Sequence, residues 1–117
     1  MTPEEVRALS DEALDEIIQT TVFGGTFPSG FGNLSLSRAN PMIVAYTRDW
    51  NAMSALSERM RAGGYEVMLL MNHDGHGCLF TGPTTACQHA ETLPRAVAEA
   101  AVLARAAQHR EEMNDAE

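Results

Sequence analysis

The sequence predicts a single α+β domain in which a small, mainly antiparallel sheet is packed between helices. Three segments in chain order carry that expectation: an acidic amphipathic helix closing at Gly24-Gly25, a helix and hairpin entered through Tyr46-Thr47-Arg48-Asp49, and an Ala-rich helix opened by Thr92-Leu93-Pro94. At 117 residues, 44% of them apolar, the chain is long enough for one core that hides roughly two-thirds of the surface its unfolded form exposes.

Thr2 precedes Pro3 and stands three residues before Glu5, the spacing of a capping box with proline in the first turn. Ser10 recaps the chain at Asp11, after which Leu14, Ile17, Ile18 and Val22 recur on one helical face and leave Asp15, Glu16 and Gln19 to solvent. Residues 24–33 hold four of the nine glycines and two of the four phenylalanines, which marks a loop. Residues 34–37 alternate as a short strand, and 42–45 form a second apolar piece beyond the break at Asn40-Pro41.

Thr47 is read as the N-cap of a helix reaching Arg61. Its inner stripe is Met53, Leu56 and Met60, with Ala52 and Ala55 permitting close approach to a sheet, and Gly63-Gly64 ends it. Residues 65–71 form the clearest strand and 78–81 its antiparallel partner, joined by 72–77, where Asp74-Gly75 suits a turn that needs positive φ. Residues 86–91 supply an edge strand. Thr92 then caps the last helix, with Pro94 in its first turn and Val97, Ala100, Ala101 and Ala104 as a small-residue stripe. The folded core is assigned to 1–108 and a frayed acidic tail to 109–117.

Charge narrows the function. The net charge is −8 and all eight basic residues are Arg, so Schiff-base lysines, lysine general bases and the phosphate-binding lysine of a Walker A loop are excluded. Nucleic acid is not an expected partner, because affinity for its backbone rests on clustered positive charge. The N-terminus lacks the basic and apolar regions of a signal peptide, and no run approaches the ~20 apolar residues of a membrane span, so the chain reads as cytosolic with no membrane partner. Cys78 and Cys87, the two cysteines, are expected as reduced thiols.

His73, His76, Cys78, Cys87 and His89 form the densest group of metal-ligating types. Strands in suitable register would place Cys78, Cys87, His76 and His89 on one face, but the spacing matches no common zinc pattern, and neither a metal nor a cofactor is expected. His73 and Asp74 fall on a tight turn, no nucleophile–base pair is evident, and no catalytic residue is assigned. The more informative polar residues are Arg48 and Arg38. Arg48, beside Tyr46 and Thr47 at a helix start with free N–H groups, suits a small anion or phosphate, with Arg38 adding charge and Tyr46 and Phe31 stacking on a ligand. The competing expectation is that Arg48 pairs with Asp49 or Glu91. Trp50 is assigned to the core or to a subunit interface.

The chain resembles the phage ABA sandwich domain, a group of small bacteriophage accessory proteins. The resemblance rests on Leu14-Asp15 with Ile17-Ile18 and Val22-Phe23-Gly24, on the opening Tyr46-Thr47-Arg48-Asp49, and on Ala90 to Pro94 running into an Ala-rich helix. It implies an α/β/α sandwich working in the bacterial host cytoplasm. By analogy with such accessory proteins it implies counter-defence: a non-catalytic protein that binds and sequesters a small anionic, nucleotide-derived host signal. The chain is expected to be a homodimer or larger. The alternative is an acidic inhibitor of a host defence protein acting through surface carboxylates such as Glu12 and Glu16, with a zinc protein or weak hydrolase built on the hairpin as the third and least favoured reading.

Overall fold

The computed structural model describes residues 1–30 and 33–115, and its first helices begin where capping chemistry puts them. Helix α1 (Pro3–Ala8) opens on a complete capping box: Thr2 Oγ1 accepts from Glu5 N at 3.2 Å, and Thr2 N donates to Glu5 Oε1 at 3.3 Å. Helix α2 (Asp11–Thr21) starts at Ser10, whose Oγ accepts from Ala13 N at 3.1 Å. The chain then turns away through Gly24 and Gly25 at φ +61° and +83°, a region open to glycine at no steric cost.

Helix α3 (Trp50–Ala62) is capped by Asp49 rather than Thr47. Asp49 Oδ1 accepts from Asn51 N at 2.8 Å, and its Oδ2 accepts from Ser35 N at 2.5 Å. These hydrogen bonds outweigh the cost of partial burial and hold the Asp49 carboxyl below the usual carboxylate range. Thr47 is not the cap because a turn over residues 46–48, closed by Arg48 N and Asp49 N on the Ala45 carbonyl at 3.3 and 3.1 Å, holds it outside the helix.

Strands β1 (Glu66–Asn72), β2 (Gly75–Thr81) and β3 (Thr85–Ala90) form one antiparallel sheet in the order β1-β2-β3. The first hairpin is tighter than the sequence suggests, with Asn72 already paired to Gly75 across His73-Asp74. Gly75 sits at φ +138°, and a Cβ there would lie 3.2 Å from the Ala90 carbonyl oxygen. Helix α4 (Leu93–Asp115) follows Thr92, whose Oγ1 accepts from Arg95 N at 3.4 Å. It runs past residue 108, where fraying was expected, because Arg110, Glu111, Glu112 and Met113 are all strong helix formers.

Helix α4 lies over β2 and β3, with α2 and α3 beside it and α3 reaching β1. The stripes read from periodicity are the ones buried: Leu14 and Ile18 on α2, Ala52, Met53, Ala55, Leu56 and Met60 on α3, and Val97, Ala100, Ala101 and Ala104 on α4. They meet Cys78 and Phe80 from the sheet and Tyr65 just before it, and the alanines let α4 settle close to it. The fold is therefore α+β, a small antiparallel sheet packed against helices. Met68, Leu79 and Cys87 lie in register across the opposite face of that sheet, where Met68 and Cys87 are exposed. Among the described residues no helix is long and apolar enough to cross a membrane.

Residues 22–49 leave the helices and return. The two strands expected there reduce to a single bridge, Leu36 with Val44, flanked by Ser37 N to Ile43 O at 2.7 Å and Ala45 N to Ser35 O at 2.8 Å. Asp15 and Gln19, expected on the solvent side of α2, are each only 2% exposed. Gln19 Oε1 accepts from Val44 N at 3.2 Å and from the Tyr46 hydroxyl at 2.9 Å, while its Nε2 donates to Thr26 O. Asp15 Oδ1 accepts from Thr47 N at 2.9 Å. A segment outside any sheet must find partners for its buried backbone groups, and α2 supplies them from side chains. Burial pushes the Asp15 carboxyl up to about 6 against the opposing effect of the Thr47 hydrogen bond.

Candidate functional site

Helices α2, α3 and α4 begin around the same open cleft of about 650 Å³. Ser10 and Asp11 line it from the start of α2, Trp50 from the start of α3, and Thr92 and Pro94 from the start of α4. Each helix start presents the positive end of a macrodipole, and its cap takes one first-turn N–H, that of Ala13 by Ser10, of Asn51 by Asp49 and of Arg95 by Thr92.

Arg95 fixes this geometry. Its Nε donates to Glu99 Oε2 at 2.7 Å, its Nη1 to Asp11 Oδ1 at 2.7 Å, and its Nη2 to the carbonyls of Leu9 at 2.8 Å and Val6 at 3.2 Å. The other Glu99 oxygen accepts from Gln88 Nε2 at 2.8 Å. One guanidinium thus closes the C-terminus of α1, holds the start of α2 and bridges to α4, and its charge is answered by two carboxylates.

Arg48 is differently placed. It precedes the Asp49 cap instead of standing in the first helical turn, and its Nη2 donates to the Leu36 carbonyl at 2.5 Å. The ion pairs among the described residues are Arg61–Glu58, Arg95–Asp11 and Arg95–Glu99, so neither Asp49 nor Glu91 takes up the Arg48 charge. Most of its five N–H donors remain for a ligand. Thr47, 3% exposed, lies beneath; its backbone N–H binds the Asp15 carboxylate, and its buried hydroxyl has no hydrogen-bond partner among the described residues. Three Arg (Arg7, Arg48, Arg95) face three carboxylates (Asp11, Glu91, Glu99) around the cleft, a net of zero on a chain carrying −8.

Of the residues the sequence nominated, the cleft brings together Arg48 and Thr47. Tyr46 belongs to the core: it is fully buried, its ring stacks on Phe23 with centroids 5.2 Å apart, and its hydroxyl donates to Gln19. Its neighbours Val44 and Ala45 are buried with it, which leaves its ring no face for a ligand. Arg38 is exposed in the loop beyond Leu36 and does not line the cleft. Phe31 lies outside the described residues. The aromatic side chain that does line the cleft is Trp50, 54% exposed and so not a core residue.

The hairpin group is divided by register. Cys78 faces Gln88 and Leu79 faces Cys87, so the two thiols lie on opposite faces of the sheet. Cys78 is buried, and burial pushes its thiol up to about 12, whereas Cys87 is exposed. His76 shares the face of Cys78 and His89 that of Cys87. Among the described residues no three His, Cys, Asp or Glu are grouped so as to hold a metal ion. His73 and Asp74 are exposed on the turn. No family model matches the chain, and no curated protein or solved structure matches it.

Proposed function

We propose that this chain is a non-catalytic bacteriophage accessory protein that binds a small anionic, nucleotide-derived host signal in the cleft and withdraws it from host defence in the bacterial cytoplasm. The observation that carries the binding reading is the convergence of three helix N-termini beside Arg48, a guanidinium that no carboxylate of the described residues neutralises. About half a positive charge at each helix start, with the few N–H groups that the caps leave free, favours an anion there. Arg48 offers bidentate hydrogen bonds to a phosphate, and the exposed Trp50 ring offers a face for a base to stack on. The phage setting and the counter-defence role rest on the order of sequence motifs shared with phage ABA sandwich proteins.

Calorimetric titration with inorganic phosphate, 5′-AMP and a cyclic dinucleotide tests the reading. Arg48→Ala is expected to weaken binding of all that bind by about tenfold or more. Trp50→Ala is expected to weaken the nucleotides and leave phosphate unchanged. Absence of binding by all three probes, or an Arg48→Ala protein that binds as the parent does, would count against the cleft. The second reading, an acidic inhibitor of a host defence protein, is favoured by the exposed Glu12 and Glu16 on α2. It predicts a complex that survives Arg48→Ala and is lost on reversing those two charges.

A further inference from the structure

Strand β1 is one edge of the sheet, and its side chains are exposed on both faces. Met68 and Leu70 on the open face and Leu69 and Met71 on the helix-bearing face are 40 to 64% exposed, an apolar run along a strand with one edge unpaired among the described residues. Protein edges are ordinarily blunted by lysine, proline, a bulge or a very short strand. This one has none of these: the chain contains no lysine, β1 contains no proline, and all seven of its residues pair with β2 without interruption. The opposite edge, β3, is unlike it, with Ala86 and Gln88 buried beneath α4 and Thr85, Cys87 and His89 turned outward.

We infer that β1 pairs antiparallel with β1 of a second copy of this chain, about a two-fold axis at Leu69, to make a continuous six-stranded sheet. The strand is self-complementary in that register: Met68 meets the partner's Leu70, Val67 meets the partner's Met71, and Glu66 meets the partner's Asn72. Two chains of net charge −8 repel, yet the one carboxylate on β1 faces an amide, so no like charges oppose. An isologous contact of this kind closes at two copies. The four exposed side chains present a few hundred Å² of apolar surface, within the range that marks an interaction site but short of the ~800 Å² per partner of a standard interface. The remainder comes from the open groove of about 800 Å³ between α3 and β1, floored by Val67 and Leu69 and walled by Ser54, Ser57, Glu58 and Arg61. The two-fold brings this groove against its own copy, where Glu58 and Arg61, an ion pair within one chain at 2.7 Å, can exchange partners across the axis.

The experiment combines mass with register. Sedimentation equilibrium of the full chain is expected to show a dimer, and Met68→Lys/Leu70→Lys, which sets lysines opposite lysines, is expected to raise the dimer Kd by about tenfold or more while circular dichroism is unchanged. In a Cys87→Ser background, Leu69→Cys places two thiols across the axis at the ~4.5–5.5 Å Cα separation of paired residues, within disulfide range. It is expected to cross-link rapidly on mild oxidation, whereas Glu66→Cys, roughly 20 Å from its own copy, is not. A monomer at every accessible concentration overturns the inference, including the case in which β1 instead captures a strand of another protein. A dimer whose Leu69→Cys form cross-links no faster than the Glu66→Cys control overturns it as well, since the contact then lies elsewhere.

Discussion

Helix α2 and strand β1 invert the usual distribution of side chains in opposite senses. On α2, Asp15 and Gln19 are almost fully buried; on β1, Met68, Leu69, Leu70 and Met71 stand about half open. Both arrangements cost free energy, and what separates them is where the compensation lies. The α2 carboxylate and amide bind the backbone of 44–47 and the Tyr46 hydroxyl, so their desolvation is offset inside the chain. Nothing among the described residues offsets the exposure of β1. A buried polar group with partners is a structural device, and an exposed apolar edge without them marks a surface made for another chain.

The largest expected effect tests the buried side of this comparison where the charge is greatest. Arg95→Ala leaves Glu99 buried with only Gln88 as its partner and frees the terminal carbonyls of α1. Unfolding free energy is expected to fall by about 3–5 kcal/mol, the range for breaking one half of a buried pair. Chemical denaturation measures it, and Arg95→Ala with Glu99→Gln should recover part of the loss by removing the uncompensated charge. Full stability in the single variant would show that water reaches Glu99 and that the pair is not buried in effect.

Gln19→Leu comes next. The substitution keeps the volume but strands the Val44 N–H and the Tyr46 hydroxyl, and a loss of about 2–3 kcal/mol is expected from unsatisfied buried groups. Hydrogen exchange adds a local readout, because the Val44 amide should lose protection before the amides of β2 do.

These two residues show where a linear reading stops. Thr2, Ser10 and Thr92 are legible as caps because each depends on a donor three residues away. The stripes of α3 and α4 are legible for the same reason, since a period of 3.6 is a local property. Asp15 and Gln19 bind backbone 25 to 32 residues later in the chain, and helical periodicity alone sends them to solvent. In Tyr46-Thr47-Arg48-Asp49 both Thr47 and Asp49 are good caps, and the turn over residues 46–48, anchored to α2 where Thr47 N donates to Asp15, leaves Asp49 at the helix start. The same ordering buries Tyr46 and turns Trp50 to the cleft, so the aromatic expected at the site was four residues too early. Register, which a one-residue slip reverses, separates Cys78 from Cys87 and could not be read from spacing. The meeting of three helix starts is a matter of topology, and its pieces were visible only as separate caps.

Asp15 sharpens the buried side with pH. Its carboxyl stands at about 6 in the folded protein against 3.8 in the unfolded chain. Between those values the folded form binds more protons, so its contribution favours folding at low pH and diminishes as pH rises from about 4 to about 6, then stays flat. Asp15→Asn keeps an oxygen to accept from Thr47 N and removes the titration. The variant is expected to match or exceed the parent at pH 7, by about 1 kcal/mol, and to lose the fall in stability between pH 4 and 6. A variant that is less stable at pH 7 would mean that the charge itself, rather than the acceptor, holds residue 47.

The smallest effect on the fold is expected at β1, and there the smallness is the point. In Met68→Thr/Leu70→Thr the open face exchanges exposed apolar side chains for β-branched polar ones that suit a strand, so the isolated chain should change by no more than about 0.5 kcal/mol. The parent behaves differently if β1 is paired between copies: binding to a second folded chain adds stability by mass action, and its denaturation midpoint climbs with protein concentration. The variant should share the parent's midpoint at high dilution and fail to climb. That pattern separates a strand whose apolar residues serve another chain from one whose residues serve their own. A variant destabilised equally at all concentrations would place Met68 and Leu70 with Asp15 and Gln19, as groups compensated inside a single molecule.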